Sequence, residues 1–104
     1  MVEVGNVVTL KNGREYLILD EETYYEKDFV YTVRVDSEDE PLGEYEVFRV
    51  LRINGESYLF GIKEKMFHDA LIAVFKDLIR DYYMAGEYDD LSEKHKKVIF
   101  DAIQ

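Results

Sequence analysis

Six carboxylates crowd the twelve residues VDSEDEPLGEYE at 35–46: Asp36, Glu38, Asp39, Glu40, Glu44 and Glu46. Oxygen-rich spacing of this kind serves three chemistries: gripping a hard cation, imitating the phosphates of a nucleic acid, or hydrating a loop. The cation option meets a geometric objection. A helix-loop-helix calcium site needs oxygens at alternate positions, glycine sixth and a bidentate glutamate twelfth. Counted from Asp36, Glu38 and Glu40 fit, but the sixth residue is Pro41 and the twelfth is Val47. The flanks also read as strands, so no metal site is expected here.

Other site chemistries find little support in the residues. The chain has no cysteine, which excludes zinc-thiolate sites, disulfides and cysteine nucleophiles. Its two histidines, His68 and His95, lack metal-ligand spacing and read as surface or half-buried side chains. His68 neighbours Asp69, but a triad would need Ser37, Ser57 or Ser92 to converge on the pair, and none sits in a G-x-S-x-G elbow. The six glycines stand singly, so no phosphate-cradling loop forms. Paired carboxylates are plentiful, but loop acids are usually solvated and lack the pocket that shifts a catalytic pKa. The chain is expected to be no enzyme and to carry no cofactor.

Charge placement is more informative. Residues 15–46 hold twelve acids and two bases, while the remaining 72 residues hold eleven of each. One contiguous third therefore carries the whole net charge of −10. Such a field repels nucleic acid and anionic membranes and attracts basic partners with a salt-dependent on-rate. Nine tyrosines and no tryptophan accompany it, and Tyr16, Tyr24, Tyr25, Tyr31 and Tyr45 fall inside the acidic third. Tyrosine gives large contact area at low entropic cost and is enriched at binding hot spots. Tyr24 and Tyr25, read as adjacent strand residues, would point to opposite faces. The plainer alternative makes Tyr16 and Tyr31 core residues and the acids a guard against edge-to-edge aggregation.

The elements that position these residues follow from periodicity. At 104 residues a single domain is expected, with a β-sheet part at 1–62 and a helical part at 63–104. Asn12-Gly13 and Asn54-Gly55 each lie between apolar runs, the signature of type I′ hairpins. DFVYTVRVD alternates with period two, a strand with one buried face, and alternation blurs at Val47-Phe48, which points to a bulge or a strand covered on both faces. Pro41 is expected to stop a strand in the acidic turn. From Met66, apolar residues recur at three- and four-residue steps to Tyr82, a helix that Gly86 ends; a second helix opens near Asp89–Ser92. The fold class is α+β: about five antiparallel strands in meander order, strongly twisted or barrel-like, then two C-terminal helices. No basic leader and no long apolar run are visible, and the absence of cysteine suits a reducing cytoplasm.

The stretch VVTLKNGREYLILDEETYYEKDFVYTVRVD resembles small acidic proteins carried by phages and mobile elements of Gram-positive bacteria, anti-CRISPR proteins among them. The likeness lies in size, charge and the strand–Asn-Gly–strand style, so no residue role carries over. The start, G-x-VV-x-L-x-NG, is also similar to SH3-like small barrels. The resemblance implies an inhibitor that occupies a nucleic-acid-binding surface of a Cas nuclease. From the charge and tyrosines of the acidic third itself, the expected partner contacts are Glu21, Glu22, Tyr24, Tyr25, Glu26, Asp36, Glu38, Asp39, Glu40, Glu44, Tyr45 and Glu46. The alternative is an accessory interaction domain whose partner surface lies on the helices, at Tyr82, Tyr83, Met84 and Tyr88.

Overall fold

The computed structural model describes residues 4–104; Met1–Glu3, where the reading of the chain start partly falls, lie outside the described residues. Five antiparallel strands form one sheet in meander order: β1 (Val7–Thr9), β2 (Glu15–Tyr24), β3 (Lys27–Val35), β4 (Pro41–Ile53) and β5 (Glu56–Gly61). Two helices follow, α1 (Lys65–Met84) and α2 (Glu93–Ala102). The sheet curls into a half-barrel, and the α+β reading stands. Among the described residues no helix is long and apolar enough to cross a membrane.

The turns differ in kind. Asn54 and Gly55, both at positive φ, form the expected two-residue type I′ turn. Around Asn12-Gly13 the loop is one residue longer: the Gly13 N–H donates to the Leu10 carbonyl and the Leu10 N–H to the Arg14 carbonyl. Only Gly13 there needs the left-handed region, as in a type I turn with a bulge. Pro41 does not stop a strand; it opens β4, paired with Val35, where a missing N–H costs no ladder bond.

The central strand β3 is buried on both faces, not one, because the curled sheet has two apolar sides. On one side Leu19, Phe29, Tyr31, Val33 and Val47 pack against Leu71, Phe75 and Ile79 of α1 and Ile99 and Ala102 of α2. On the other, Tyr16, Ile18, Val30, Phe48 and Val50 form a smaller cluster under Val8, Leu10 and Leu59. The blurred alternation at Val47-Phe48 is thus a strand covered on both faces. Hydrogen bonds tie the helices down. The Tyr31 hydroxyl donates to the Ala102 carbonyl at 2.8 Å. The Val47 N–H, just beyond the last β4–β5 pair, donates to Nε2 of His68 at 3.0 Å.

Helix α1 ends in a Schellman motif: the Gly86 N–H reaches the Tyr83 carbonyl and the Glu87 N–H that of Tyr82. Gly86 sits at φ 79°, and a Cβ there would meet a carboxylate oxygen of Asp89 at 2.8 Å. Gly86→Ala is therefore expected to lower the unfolding free energy by about 1–2 kcal/mol. A urea titration checks this as a lower midpoint with unchanged slope. Ser92 caps α2, its hydroxyl accepting from the His95 N–H.

Candidate partner-binding surface

The acidic third is contiguous in sequence but not in space. The turns that carry its two groups, at residues 25–26 and 36–40, flank the nine residues of β3, which at about 3.3 Å per residue separates the turns by roughly 25–30 Å. One group lies at the β2–β3 hairpin, the other at the β3–β4 turn.

At the β3–β4 turn three of the six carboxylates, those of Asp36, Glu40 and Glu44, are engaged within the chain. Oδ1 of Asp36 accepts from the N–H groups of Glu38 and Glu40 at 2.9 and 3.0 Å, so Asp36 organises the loop. Glu40 pairs with Lys94 of α2 at 2.8 Å and Glu44 with Arg34 at 3.1 Å. Tyr45 is half-buried and stacks on Tyr31, with ring centroids 5.8 Å apart. Burial, then the charge of Asp101, pushes its phenol pKa up. Glu46 is half-buried, and its carbonyl accepts from the Thr32 hydroxyl. Glu38 and Asp39 remain exposed, and the charge of Asp39 acts on Lys94 without a direct ion pair.

The β2–β3 hairpin is built differently. Tyr24 closes β2 opposite Lys27, and Tyr25 is not a strand residue but the first residue of the turn. Tyr25 and Glu26 stand at φ 53° and 62°, so two consecutive residues with side chains occupy the left-handed region. Tyr25 is 77% exposed and Tyr24 39%. Rather than pointing to opposite faces, their rings meet edge to face at 4.4 Å. Glu26 is exposed beside them. On one face of the hairpin Arg52 bridges Glu21 and Asp28, each at 2.7 Å. On the other, Glu22 accepts the Tyr82 hydroxyl of α1 at 2.6 Å.

Asp20 is the residue that the sequence reading did not single out. A bulge between Ile18 and Asp20 shifts the register of β2, so Asp20 pairs with Tyr31 and Glu22 with Phe29, on the helix side of the sheet. The doubled apolar pair Ile18-Leu19 is the signal that could have found it. One Asp20 carboxylate oxygen is buried with no donor to accept from. Glu22 can pair with it only through a shared proton. Burial, reinforced by the hydrogen bond and charge of Glu22, pushes the Asp20 pKa up to about 7. Tyr88, in the α1–α2 connection, is half-buried against the core; burial first, then the charge of Asp20, pushes its pKa up to about 12. Tyr82 and Tyr88 thus turn toward the sheet, whereas Tyr83 and Met84 are exposed.

Comparison with protein-family models, with characterised proteins and with solved structures finds no match to this chain.

Proposed function

We propose that this chain is a non-enzymatic acidic binding protein that inhibits a nuclease, of the Cas kind, by occupying its basic nucleic-acid-binding surface, with the β2–β3 hairpin as the leading contact. The strained turn at Tyr25-Glu26 is the observation that carries this reading. A left-handed residue with a side chain costs on the order of 1 kcal/mol, and such strain concentrates where the conformation itself is used. The same sheet uses strain-tolerant Asn54-Gly55 at a turn of the same type. At β2–β3 the chain instead presents an exposed aromatic pair beside Glu26 and Glu22, neither of which has a base beside its carboxylate among the described residues. A surface of lysine and arginine that holds a nucleic acid would bind tyrosines and carboxylates in its place. Glu38 and Asp39 add charge at the far end of β3 and steer the encounter rather than fix it.

Exchanging the turn for Asn-Gly tests the reading. Tyr25→Asn with Glu26→Gly is expected to raise stability by about 1 kcal/mol, since the strain is relieved. It is also expected to weaken binding to a purified, basic Cas nuclease at least ten-fold. A stabilised variant that binds as wild type would defeat the hairpin as the contact.

A second reading, an accessory interaction domain, is favoured by one feature of the helices. Tyr83 lies 6.2 Å from Phe100 of α2 and 6.4 Å from Tyr88, centroid to centroid, and Tyr83 and Phe100 are exposed. Lys96 and Lys97 line the same concavity. Such a face suits a partner that is not itself basic.

A further inference from the structure

Beside the hairpin, α1 and the end of β2 leave a small pocket of about 300 Å³. Phe29, Leu71, Val74, Phe75 and Leu78 make its apolar walls, and Tyr24 closes one side. Glu22 is the one charged residue lining it. No lysine or arginine among the described residues pairs with Glu22 or Asp20. If the two acids share a single proton, one negative charge remains at the pocket without a counter-cation. A carboxylate has room for about four hydrogen bonds, and Tyr82 occupies one site on Glu22.

An apolar pocket with the unbalanced acid Glu22 in its wall is complementary to a side chain with an apolar stem and a cationic head. Arginine fits best of the natural candidates. Its three methylenes bury along apolar surface while the head stays polar, its flat guanidinium lies on an aromatic ring such as Tyr24, and it binds carboxylate through paired N–H groups. We propose that this pocket receives an arginine side chain from the basic partner, anchored on Glu22. The inference rests on the proposed docking of a basic surface at this hairpin and names the group that enters.

A small probe separates the pocket from the macromolecular contact. The full chain, with isotope-labelled Leu and Val methyl groups, is titrated with Nα-acetyl-arginine amide, and in parallel with the lysine and norleucine amides. The arginine probe is expected to shift the methyl signals of Leu71, Val74 and Leu78 in a saturable way. Glu22→Gln should weaken it at least ten-fold, and Val74→Trp, which fills the pocket, should abolish the shifts while the remaining spectrum shows an intact fold. Norleucine or lysine amide binding as tightly as the arginine probe would overturn the assignment. So would shifts scattered over the acidic surface, or a Glu22→Gln variant that binds unchanged. If the probe binds here but no basic nuclease does, the pocket stands and the inhibitor reading falls. If a nuclease binds through the hairpin but the probe does not enter, the reverse holds.

Discussion

Tyr31→Ala is expected to lower the unfolding free energy by about 3–5 kcal/mol, the range for removing a large buried aromatic side chain. Tyr31 is fully buried at the middle of the central strand. Its ring stacks between Phe75 of α1, at 5.6 Å, and Tyr45 of β4, at 5.8 Å. Its hydroxyl holds the Ala102 carbonyl at the last turn of α2. One side chain thus joins three elements. For a domain of this size the loss corresponds to a fall in melting temperature of roughly 15 °C or more. Tyr31→Phe separates the two contributions: it keeps the ring, loses only the bond to α2, and is expected to cost about 1–2 kcal/mol. Thermal and urea unfolding check both. An alanine variant within about 1 kcal/mol of wild type would mean that the helices do not depend on this joint.

Asp20→Asn is expected to stabilise the protein at pH 8 by about 2 kcal/mol and to leave stability nearly unchanged at pH 4. In the folded chain the Asp20 carboxyl keeps its proton up to about pH 7, against an ordinary value of 3.8. Below pH 4 both folded and unfolded chains hold that proton, and its contribution is fully present. As pH rises toward 7 the unfolded chain ionises freely while the folded chain resists, so stability falls. A shift of about three units is worth about 4 kcal/mol, and partial solvent access of the group halves it. The groups facing Asp20 are Glu21 and Glu22 on β2, Tyr82 on α1 and Tyr88 in the α1–α2 connection, with Glu87 beside the two tyrosines. None of them is a base, and only a backbone hydrogen bond at Glu21 opposes the rise. Urea titrations of wild type and variant at pH 4, 6 and 8 read the difference directly, because the general repulsion of a chain at −10 is common to both. Equal stability of the two proteins at pH 8 would show Asp20 to be solvated.

Much of the fold was legible because short-range chemistry specifies it. Asn54-Gly55 demands a tight hairpin, the helix stripe from Phe67 to Tyr82 marks one face of α1, and Gly86 and Ser92 mark the helix boundaries. What escaped depends on register and curvature, which local pattern does not carry. The bulge at Leu19 reverses which face of β2 Asp20 and Glu22 occupy. The curl of the sheet buries Val30 and Thr32, which strict alternation placed toward solvent. Proximity in sequence also overstated proximity in space. Residues 21–26 and 36–46 read as one acidic face, yet their two turns lie at opposite ends of β3, with Glu46 alone reaching back beside Thr32, and Asp36, Glu40 and Glu44 are taken up by the fold's own N–H groups and bases. At the hairpin, Tyr24 and Tyr25 were visible as unusual residues, but the strained turn that presents them needed backbone angles.

The most direct test of the central claim is equilibrium binding of the full chain to a purified Cas nuclease across a salt series, with and without competing DNA or guide RNA. The account predicts binding at low ionic strength, a steep loss of affinity as salt rises, displacement by the nucleic acid, and at least a ten-fold loss for the Tyr25→Asn, Glu26→Gly chain. Binding that ignores both salt and nucleic acid, or that survives the turn exchange undiminished, would contradict it.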